Sequence, residues 1–277
     1  MSLFITSLNS GSNGNCYYVG NDKEAVLIDA GISCRETEKR MLRLGLSMNK
    51  VKAIFVSHEH SDHIRGLPVL AKKYKLPVYI TSKTLAHCYF NVEIDHVKSF
   101  EAHRPTTIGS LTVTAFSKFH DAIEPHSFVV SCNEIKVGVF TDIGVPCKQL
   151  KHYFDQCHAA FLEANYDEEL LDKGGYPIYL KNRIRGGKGH LSNKQALQFF
   201  TTYKPKHLTH LVLSHLSKHN NCPELVYNLF TEHAAGTKII VATRYNETEV
   251  FKIGTNEYET TISQKFQVKP VTQMALF

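Results

Sequence analysis

The order of hydrophobic and polar positions predicts short strands early in the chain and alternating strands and helices later. Three short apolar runs within residues 3–31, separated by turn residues, predict a β-meander. A helical pattern from Ser33 to about Leu44 follows, and the apolar run 52–58 predicts a buried strand. Strand and helix patterns alternate again over 159–243. The pattern indicates an α/β chain with mixed sheets.

Length and composition are those of a globular domain with no membrane span. The chain has 277 residues, of which 43% are hydrophobic, enough for a single core. It lacks an apolar stretch of about eighteen residues and a basic start with an apolar run, so we expect neither a span nor an export signal. Seven scattered cysteines without a CxxC pair favour a reducing cytoplasm. The net charge of +6 supports an anionic partner only weakly.

The segment SHEHSDHIRG, residues 57–66, concentrates three histidines and two acids directly after a predicted strand. His58 and His60 alternate with other residues and can face one position, while Asp62 and His63 follow the bend and can face a second. Imidazole and carboxylate groups suit zinc, manganese or iron and are typical of sites that keep an open coordination position. The segment therefore predicts a centre for two divalent metals, with a solvated polar loop as the weaker alternative.

Two open metal positions need more donors than one loop supplies. His120, Asp142 and His215 each end an apolar run of strand type. A single histidine at a strand end is more often exposed or satisfied within the fold. Together with the four donors of the histidine loop, however, these three residues make a predicted set of seven ligands.

The HxHxDH pattern followed by His, Asp and His resembles the metallo-β-lactamase superfamily, over the span from Asp29 to His215. The resemblance implies an α/β fold, a four-layer αβ/βα sandwich with two mixed sheets flanked by helices. It implies these ligands: His58, His60 and His120 for one metal, Asp62, His63 and His215 for the other, and Asp142 as the bridge. It also implies that Asp29 orients the histidine loop from behind the ligands; a turn-forming aspartate is the alternative.

Further segments are similar to the YycJ/WalJ-like proteins of this superfamily: SGSNGNCYYV near the start, HDA from His120, LEANYD from Leu162, RIRGGKGHLSN from Arg183 and HLSKHNNCPE from His215. His126 and His219 depart from the pattern expected of that group. Because its members are regarded as metal-dependent nucleases acting on DNA from the 5′ end, the resemblance implies phosphodiester hydrolysis. We place Asp62 and Asp142 among the catalytic residues, and His219 is a weaker candidate for protonating the leaving group.

The segment KNRIRGGKGHLSN, residues 181–193, is the predicted substrate contact. Its basic side chains lie in a glycine-bearing loop and can neutralise a nucleic-acid backbone, and the N-terminus of the helix that follows can hold a phosphate. A solvated charged loop is the alternative. The predicted substrate contacts are Lys181, Arg183, Arg185, Lys188, His190, Ser192, Asn193 and Asn165, the last being equally plausible as a helix start. Glu163, which like Asn165 follows an apolar run, is expected either to contact substrate or to support the ligands from behind.

The chain ends in QMALF, residues 273–277, which resembles the pentapeptide by which bacterial replication and repair proteins bind the DNA sliding clamp. Such a peptide binds through the residue types found here at Gln273, Met274, Leu276 and Phe277. The alternative is an apolar tail folded onto the domain. We therefore expect a single domain over 1–264 and a tail over 265–277.

The sequence as a whole predicts a two-metal phosphodiester hydrolase, a 5′ DNA exonuclease linked to replication or repair. A clamp-binding tail would favour DNA over RNA as the substrate. The alternatives are an RNA nuclease, a small-molecule hydrolase of the glyoxalase II or cyclic phosphodiester type, and an inactive repair adaptor that binds the clamp. The complete set of ligands argues against the adaptor.

Overall fold

The structure is a computed structural model that describes residues 2–89 and 97–254. The strands in these ranges are β1 (Leu3–Asn9), β2 (Cys16–Gly20), β3 (Ala25–Ile28), β4 (Val51–Phe55), β5 (Val78–Tyr79), β6 (Val97–Lys98), β7 (Thr106–Ile108), β8 (Leu111–Ser117), β9 (His126–Cys132), β10 (Ile135–Phe140), β11 (Ala159–Glu163), β12 (His210–Ser214), β13 (Lys238–Val241) and β14 (Phe251–Ile253). The helices are α1 (Cys34–Arg43), α2 (Ser61–Ile64), α3 (Leu67–Tyr74), α4 (Ser82–Ala86), α5 (Lys148–Phe154), α6 (Glu168–Lys173), α7 (Ile178–Arg185), α8 (Asn193–Tyr203) and α9 (Pro223–Thr231), and a 3₁₀ turn spans Met48–Lys50.

The strands form two seven-stranded sheets, each with an antiparallel and a parallel half. The first sheet has the order β14-β1-β2-β3-β4-β5-β6, antiparallel from β14 to β3 and parallel from β3 to β6. The second has the order β13-β12-β11-β10-β9-β8-β7, antiparallel from β7 to β10 and parallel from β10 to β13. The mixed sheets predicted from the hydrophobic pattern are confirmed.

Three apolar clusters separate four layers. Side chains of β1, such as Ile5, pack between the sheets against side chains of β9, such as Phe128. A second cluster joins α1 and α3 to the outer face of the first sheet, and a third joins α5, α8 and α9 to the outer face of the second sheet. Burying one such large apolar side chain contributes about 1.5–3 kcal/mol. The predicted αβ/βα sandwich is therefore confirmed.

The carboxyl ends of several strands meet at one edge of the sandwich. β8 and β10 run in the same direction because both are antiparallel to β9, and β11 and β12 are parallel to β10. Residues that follow or end these strands therefore leave the second sheet on the same side. β3 and β4 of the first sheet are parallel to each other and likewise deliver polar residues at their ends. The topology thus gathers these residues: Asp29, His58, His120, Asp142, Glu163 and His215.

One expected loop is a helix. Glycines 186, 187 and 189 indicated an open loop over 181–193, but α7 occupies Ile178–Arg185. Pro177 fits the start of this helix because proline has no N–H to leave unpaired there, and Gly186 ends it. The expected boundary at residue 264 and the tail over 265–277 lie outside the described residues.

Candidate metal centre

The histidine segment begins after β4 and turns directly into α2. His60 is the N-cap of α2, and His63 lies within the helix and is fully buried. The 29–32 turn passes against this helix, since the N–H of Ala30 donates to the carbonyl of His63 at 2.8 Å. A Cβ on Gly31 would come within 1.7 Å of the Asp62 carbonyl oxygen. Only glycine permits this approach, which brings Asp29 behind the histidines.

Asp29 orients two histidines at once. One carboxylate oxygen accepts from the backbone N–H of Ser57 at 2.8 Å, and the other accepts from the Ser57 hydroxyl at 2.8 Å and from Nδ1 of His63 at 2.7 Å. The Ser57 oxygen, whose proton goes to Asp29, accepts in turn from Nδ1 of His58 at 2.8 Å. In its neutral form each imidazole therefore has its lone pair on Nε2, facing away from Asp29.

The predicted donors converge into two sets. Within each set the ligand atoms lie within 4.8 Å of one another. One set contains His58, His60 and His120, and the other contains Asp62, His63 and His215. Asp142 lies between the two sets, with Oδ2 at 3.4 Å from Nε2 of His63 and Oδ1 at 3.7 Å from Nε2 of His120. The geometry therefore brings together all seven residues that the sequence singled out.

Three ligand atoms of these residues are buried and have no hydrogen-bond partner. Nδ1 of His120 donates to the carbonyl of Gly189 at 3.1 Å, and Nδ1 of His215 donates to Glu163 at 2.9 Å. Nε2 of both rings and Oδ2 of Asp142 have no hydrogen bond. A buried polar atom without a partner is energetically costly, and all three of these atoms belong to the same cluster of donors. The residues therefore fit divalent cations, which would satisfy all three atoms.

Backbone strain accompanies the donors. Asp29, Asp142 and His215 have positive φ angles of 62°, 55° and 59°, in the left-handed region. Residues other than glycine rarely occupy this region, and the cost is of order 1–3 kcal/mol each, lower for aspartate. Each residue turns the chain sharply after a strand. The fold tolerates this strain at the three places where a strand end delivers a carboxylate or imidazole to the site.

The two donor sets differ in charge. Burial, with charged His63 and Lys118 nearby, holds the pKa of His58 well below its usual value, and burial lowers the pKa of His120 to about 4. Burial also opposes charge on His215, but the carboxylates of Asp142, Asp62 and Glu163 outweigh it and raise its pKa to about 10. The imidazoles of His58 and His120 are therefore neutral at pH 7, whereas His215 carries a proton in the metal-free chain.

The carboxylates are ionised despite their burial. Burial raises the pKa of Asp142, but charged His215 and His63 more than offset this, so its pKa lies well below the usual range. The same balance lowers the pKa of Glu163 to about 2, since His190 and His215 outweigh burial. These anions offset the cationic imidazoles and would offset bound cations.

Glu163, which was expected at the site, and Asn15, for which the sequence favoured a plain turn, both contact the candidate centre. Glu163 ends β11, is fully buried, and accepts from five groups around the site. Its signal was present, because it ends an apolar strand just as Asp142 follows one. Asn15, in the turn after β1, is also fully buried and faces Asp62 and His63. Its Asn-Gly context is typical of a hairpin turn, which hides any functional signal.

The predicted substrate contacts divide by exposure. His190 lies at the site, since Nδ1 donates to Glu163 at 2.9 Å and its ring lies 5.2 Å from the rings of His120 and His215. Its side chain is 20% exposed, which leaves it open to a substrate. Lys188 is exposed as well, directly before the Gly189 carbonyl that holds His120.

Three other predicted contacts are buried and form hydrogen bonds within the fold. Ser192 is fully buried and caps α8, with its oxygen accepting from the N–H of Gln195 at 3.1 Å. Asn193 is buried and its amide donates to Asn221 at 3.0 Å. Asn165 donates to the carbonyl of His215 at 2.7 Å and so supports that residue from behind. The phosphate site expected at this helix start has no exposed side chain from Ser192 or Asn193.

The remaining basic residues are engaged at the surface. Arg183 pairs with Asp121 at 2.5 Å, and Asp121 lies 3.3 Å from Nε2 of His120. Arg185 pairs with Asp172 at 2.7 Å, and Lys181 donates to the Asp172 carbonyl at 2.7 Å. Arg183 is therefore next to the centre, while the other two stabilise the α6–α7 segment.

One other predicted residue lies away from this geometry. His219 is exposed and its ring lies 6.1 Å from the ring of Tyr176, outside the converging donor sets. The clamp-binding residues, Gln273, Met274, Leu276 and Phe277, lie outside the described residues.

Comparison with known proteins decides the family. The family model described as a β-lactamase superfamily domain matches residues 24–215. Exodeoxyribonuclease YycJ of Bacillus anthracis is 39% identical over 228 residues, which cover 81% of this chain and 86% of that protein. The chain belongs to the metallo-β-lactamase superfamily. Within the superfamily, exodeoxyribonuclease WalJ of Streptococcus pneumoniae is also similar, at 31% identity over 79% of this chain and 84% of its own.

A solved structure supports the fold of this superfamily member. The metallo-β-lactamase fold protein YhfI of Bacillus subtilis matches with a TM-score of 0.67 at 17% identity, covering 91% of this chain and all of that chain. At this identity the likeness concerns the fold alone. Among the helices in residues 2–89 and 97–254, none has both the length and the apolar character needed to cross a bilayer.

Proposed function

We propose that this superfamily member is an exodeoxyribonuclease that holds two divalent cations and hydrolyses DNA from the 5′ end. One observation carries the proposal: two sets of donors, buried except for half-buried His60 and Asp62, meet at Asp142, and three donor atoms there lack a hydrogen bond. The relatives named as exodeoxyribonucleases, which align with most of this chain, support DNA as the substrate.

The donor sets would hold the two cations, with Asp142 shared between them. A pair of such cations supplies a nucleophile from water at neutral pH and neutralises charge on phosphate oxygens. The chain's own contribution is orientation: Asp29 keeps Nε2 of His58 and His63 facing the site, and Glu163 does so for His215. The donor chemistry suits zinc, manganese or iron.

The substrate would contact the rim formed by 183–190. His190 is partly exposed beside His120 and His215, and exposed Lys188 follows the glycine pair 186–187. Arg183 is within reach of a phosphate if its pair with Asp121 opens. The His190 imidazole and the positively charged side chains of Lys188 and Arg183 would suit the negative charge of a terminal phosphodiester. His219 is also proposed as the proton donor, although it is exposed and lies beside Tyr176, outside the donor sets.

The test is a substrate panel with metal exchange. The full-length protein, loaded in turn with Zn²⁺, Mn²⁺ or Fe²⁺, is given 5′-labelled DNA, labelled RNA, a glutathione thioester and a cyclic nucleotide. Release of labelled mononucleotides from DNA supports the proposal. Faster hydrolysis of RNA, the thioester or the cyclic phosphate would replace it by the corresponding alternative. Asp142→Ala serves as the inactive control, and loss of its activity excludes a contaminating nuclease.

A second proposal concerns the tail and rests on the sequence QMALF. We propose that Gln273, Met274, Leu276 and Phe277 bind the sliding clamp, which would bring the enzyme to replicating DNA. Deleting 273–277 should remove clamp binding in a pull-down and leave hydrolysis of short DNA unchanged. Unchanged clamp binding would remove this proposal and spare the nuclease.

Two further assignments complete the proposal. We place the protein in the cytoplasm, and support comes from seven cysteines that are all free in the described residues. We also propose one domain over 1–264 followed by a tail over 265–277. Support comes from the two sheets, which pack around a shared core that includes side chains of β1 and β14.

A further inference from the structure

The turn between β1 and β2, residues 10–15, reaches the candidate centre beside the 29–32 turn, since the N–H of Gly31 donates to the Asn15 carbonyl at 2.8 Å. It lies against the second donor set, Asp62, His63 and His215. The backbone N–H of Asn15 donates to the Asp62 carbonyl at 2.7 Å, and the N–H of His215 donates to the hydroxyl of Ser10 at 2.7 Å. One short turn therefore contacts residues that are about 150 positions apart in the sequence.

The orientation of the Asn15 amide is determined by its neighbours. Its oxygen accepts from the backbone N–H of Gly11 at 3.0 Å and from the hydroxyl of Tyr17 at 3.2 Å. Because both neighbours are donors there, the NH₂ group must face the other way. It lies 3.1 Å from Oδ2 of Asp62 and 3.1 Å from Nε2 of His63.

These contacts form a buried, directional chain of hydrogen bonds. The His215 N–H donates to Ser10, and the Ser10 hydroxyl lies 2.8 Å from the Tyr17 hydroxyl. Since Tyr17 gives its proton to Asn15, it must accept from Ser10. Asn15 then donates to Asp62. Ser10, Tyr17 and Asn15 are each at most 1% exposed, so water cannot replace these bonds.

The chain of hydrogen bonds serves only one of the two donor sets. His58 is held through Ser57 and His120 through the Gly189 carbonyl. None of the hydrogen bonds described for residues 10–15 reaches His58, His60 or His120. We propose that the relay from Ser10 through Tyr17 to Asn15 positions the ligands of the second metal and so sets the affinity of that metal alone. This inference rests on the proposed two-metal function.

The physical reason is the freedom of the Asp62 side chain. It is 18% exposed, and its described side-chain hydrogen bond comes from Asn15. Without that donor the carboxylate can rotate away, and an ion at this position would have to reorder it. Partners of metal ligands change metal affinity about 10–100-fold when they are removed. Asn15 touches the ligands Asp62 and His63, and Tyr17 acts through Asn15, so both are positioning residues that touch no reacting atom.

The experiment counts bound metal ions. The full-length chain is freed of metal with a chelator and titrated with Mn²⁺, followed by calorimetry and by the electron paramagnetic resonance signal of free Mn²⁺. Wild type should bind two ions. Asn15→Ala should weaken one ion by about 10–100-fold and leave the other within roughly threefold, well below the first effect. Tyr17→Phe, which keeps the ring packing on Phe161, should weaken the same ion to a smaller degree.

The matched control is Asn13→Ala, in the same turn. Its amide donates to the carbonyl of Arg244 at 2.8 Å and contacts no donor of the centre, so both ions should bind as in wild type. If Asn15→Ala fails to fold, Tyr17→Phe decides the question. Equal weakening of both ions, or no weakening of either, would overturn the inference. A wild type that binds fewer than two ions would instead contradict the proposed function.

Discussion

Replacing Glu163 by glutamine tests the internal support of the candidate centre most directly. Its Oε1 accepts from the N–H of Asp142 at 3.1 Å and from Nδ1 of His190 and His215 at 2.9 Å. Its Oε2 accepts from the N–H groups of Ile143 at 2.8 Å and Leu191 at 3.1 Å. All these neighbours are donors, so the carboxylate has no place for an N–H of its own.

The expected loss in the free energy of unfolding follows from the number of hydrogen bonds that Glu163 accepts. Glutamine retains one accepting oxygen and replaces the other by an NH₂ group. In the better orientation the oxygen takes the Oε1 position, and the N–H groups of Ile143 and Leu191 lose their acceptor. A buried N–H without an acceptor costs about 1–3 kcal/mol, so Glu163→Gln should lower the free energy of unfolding by roughly 2–6 kcal/mol.

The assay is denaturant unfolding of the metal-free chain at pH 7, followed by circular dichroism. Metal titration of the same variant should show an affinity about 10–100-fold lower, because a neutral amide oxygen holds the N–H of the His215 imidazole less strongly than a carboxylate does. Glu169→Gln is the matched control. This exposed glutamate pairs with Lys173 at 3.0 Å, and its replacement should change neither measurement.

A loss of less than about 1 kcal/mol would refute the reasoning, since it is smaller than the cost of a single buried N–H without an acceptor. It would mean that water or a shift of the 143 and 191 segments replaces the missing acceptor. An unchanged metal affinity would separately show that Glu163 does not orient His215.

Three further outcomes are expected. Asp142→Ala should abolish DNA hydrolysis and keep the wild-type circular dichroism spectrum. Residual activity above roughly a few hundredths of the wild-type rate would argue against a shared ligand, because removing even a partner of a metal ligand costs about 10–100-fold. Metal binding should release protons, because the pKa of His215 is raised to about 10 and the ring is protonated at pH 7. The metal affinity should therefore rise as the pH is raised towards 10. Calorimetry in buffers of different ionisation enthalpy would measure the number of protons released. Lys188→Ala should raise KM for DNA and reduce the salt dependence of binding by about one charge, whereas an unchanged salt slope in anisotropy titrations would remove Lys188 from the substrate path.

The sequence by itself determined the α/β class with mixed sheets and the candidate ligands, and the family resemblance implied the four layers. Apolar runs of strand type, with polar residues such as Asp142 and His215 directly after them, are local features that can be read along the chain. Parallel strands deliver their carboxyl ends to one edge, so a polar residue at each such end is expected at a common site. The same rule included Glu163, which was expected either to contact substrate or to support the ligands from behind.

Only the tertiary structure decided which polar residues face the centre and which support it from behind. Ser192 and Asn193 were expected to contact substrate, but packing buries them at the start of α8. Ser10, Tyr17 and Asn15 looked like hairpin and strand residues, yet they join His215 to Asp62. The reason is physical: hydrogen-bond partners and burial depend on how the two sheets pack, and that packing places residues side by side that are up to about 200 positions apart.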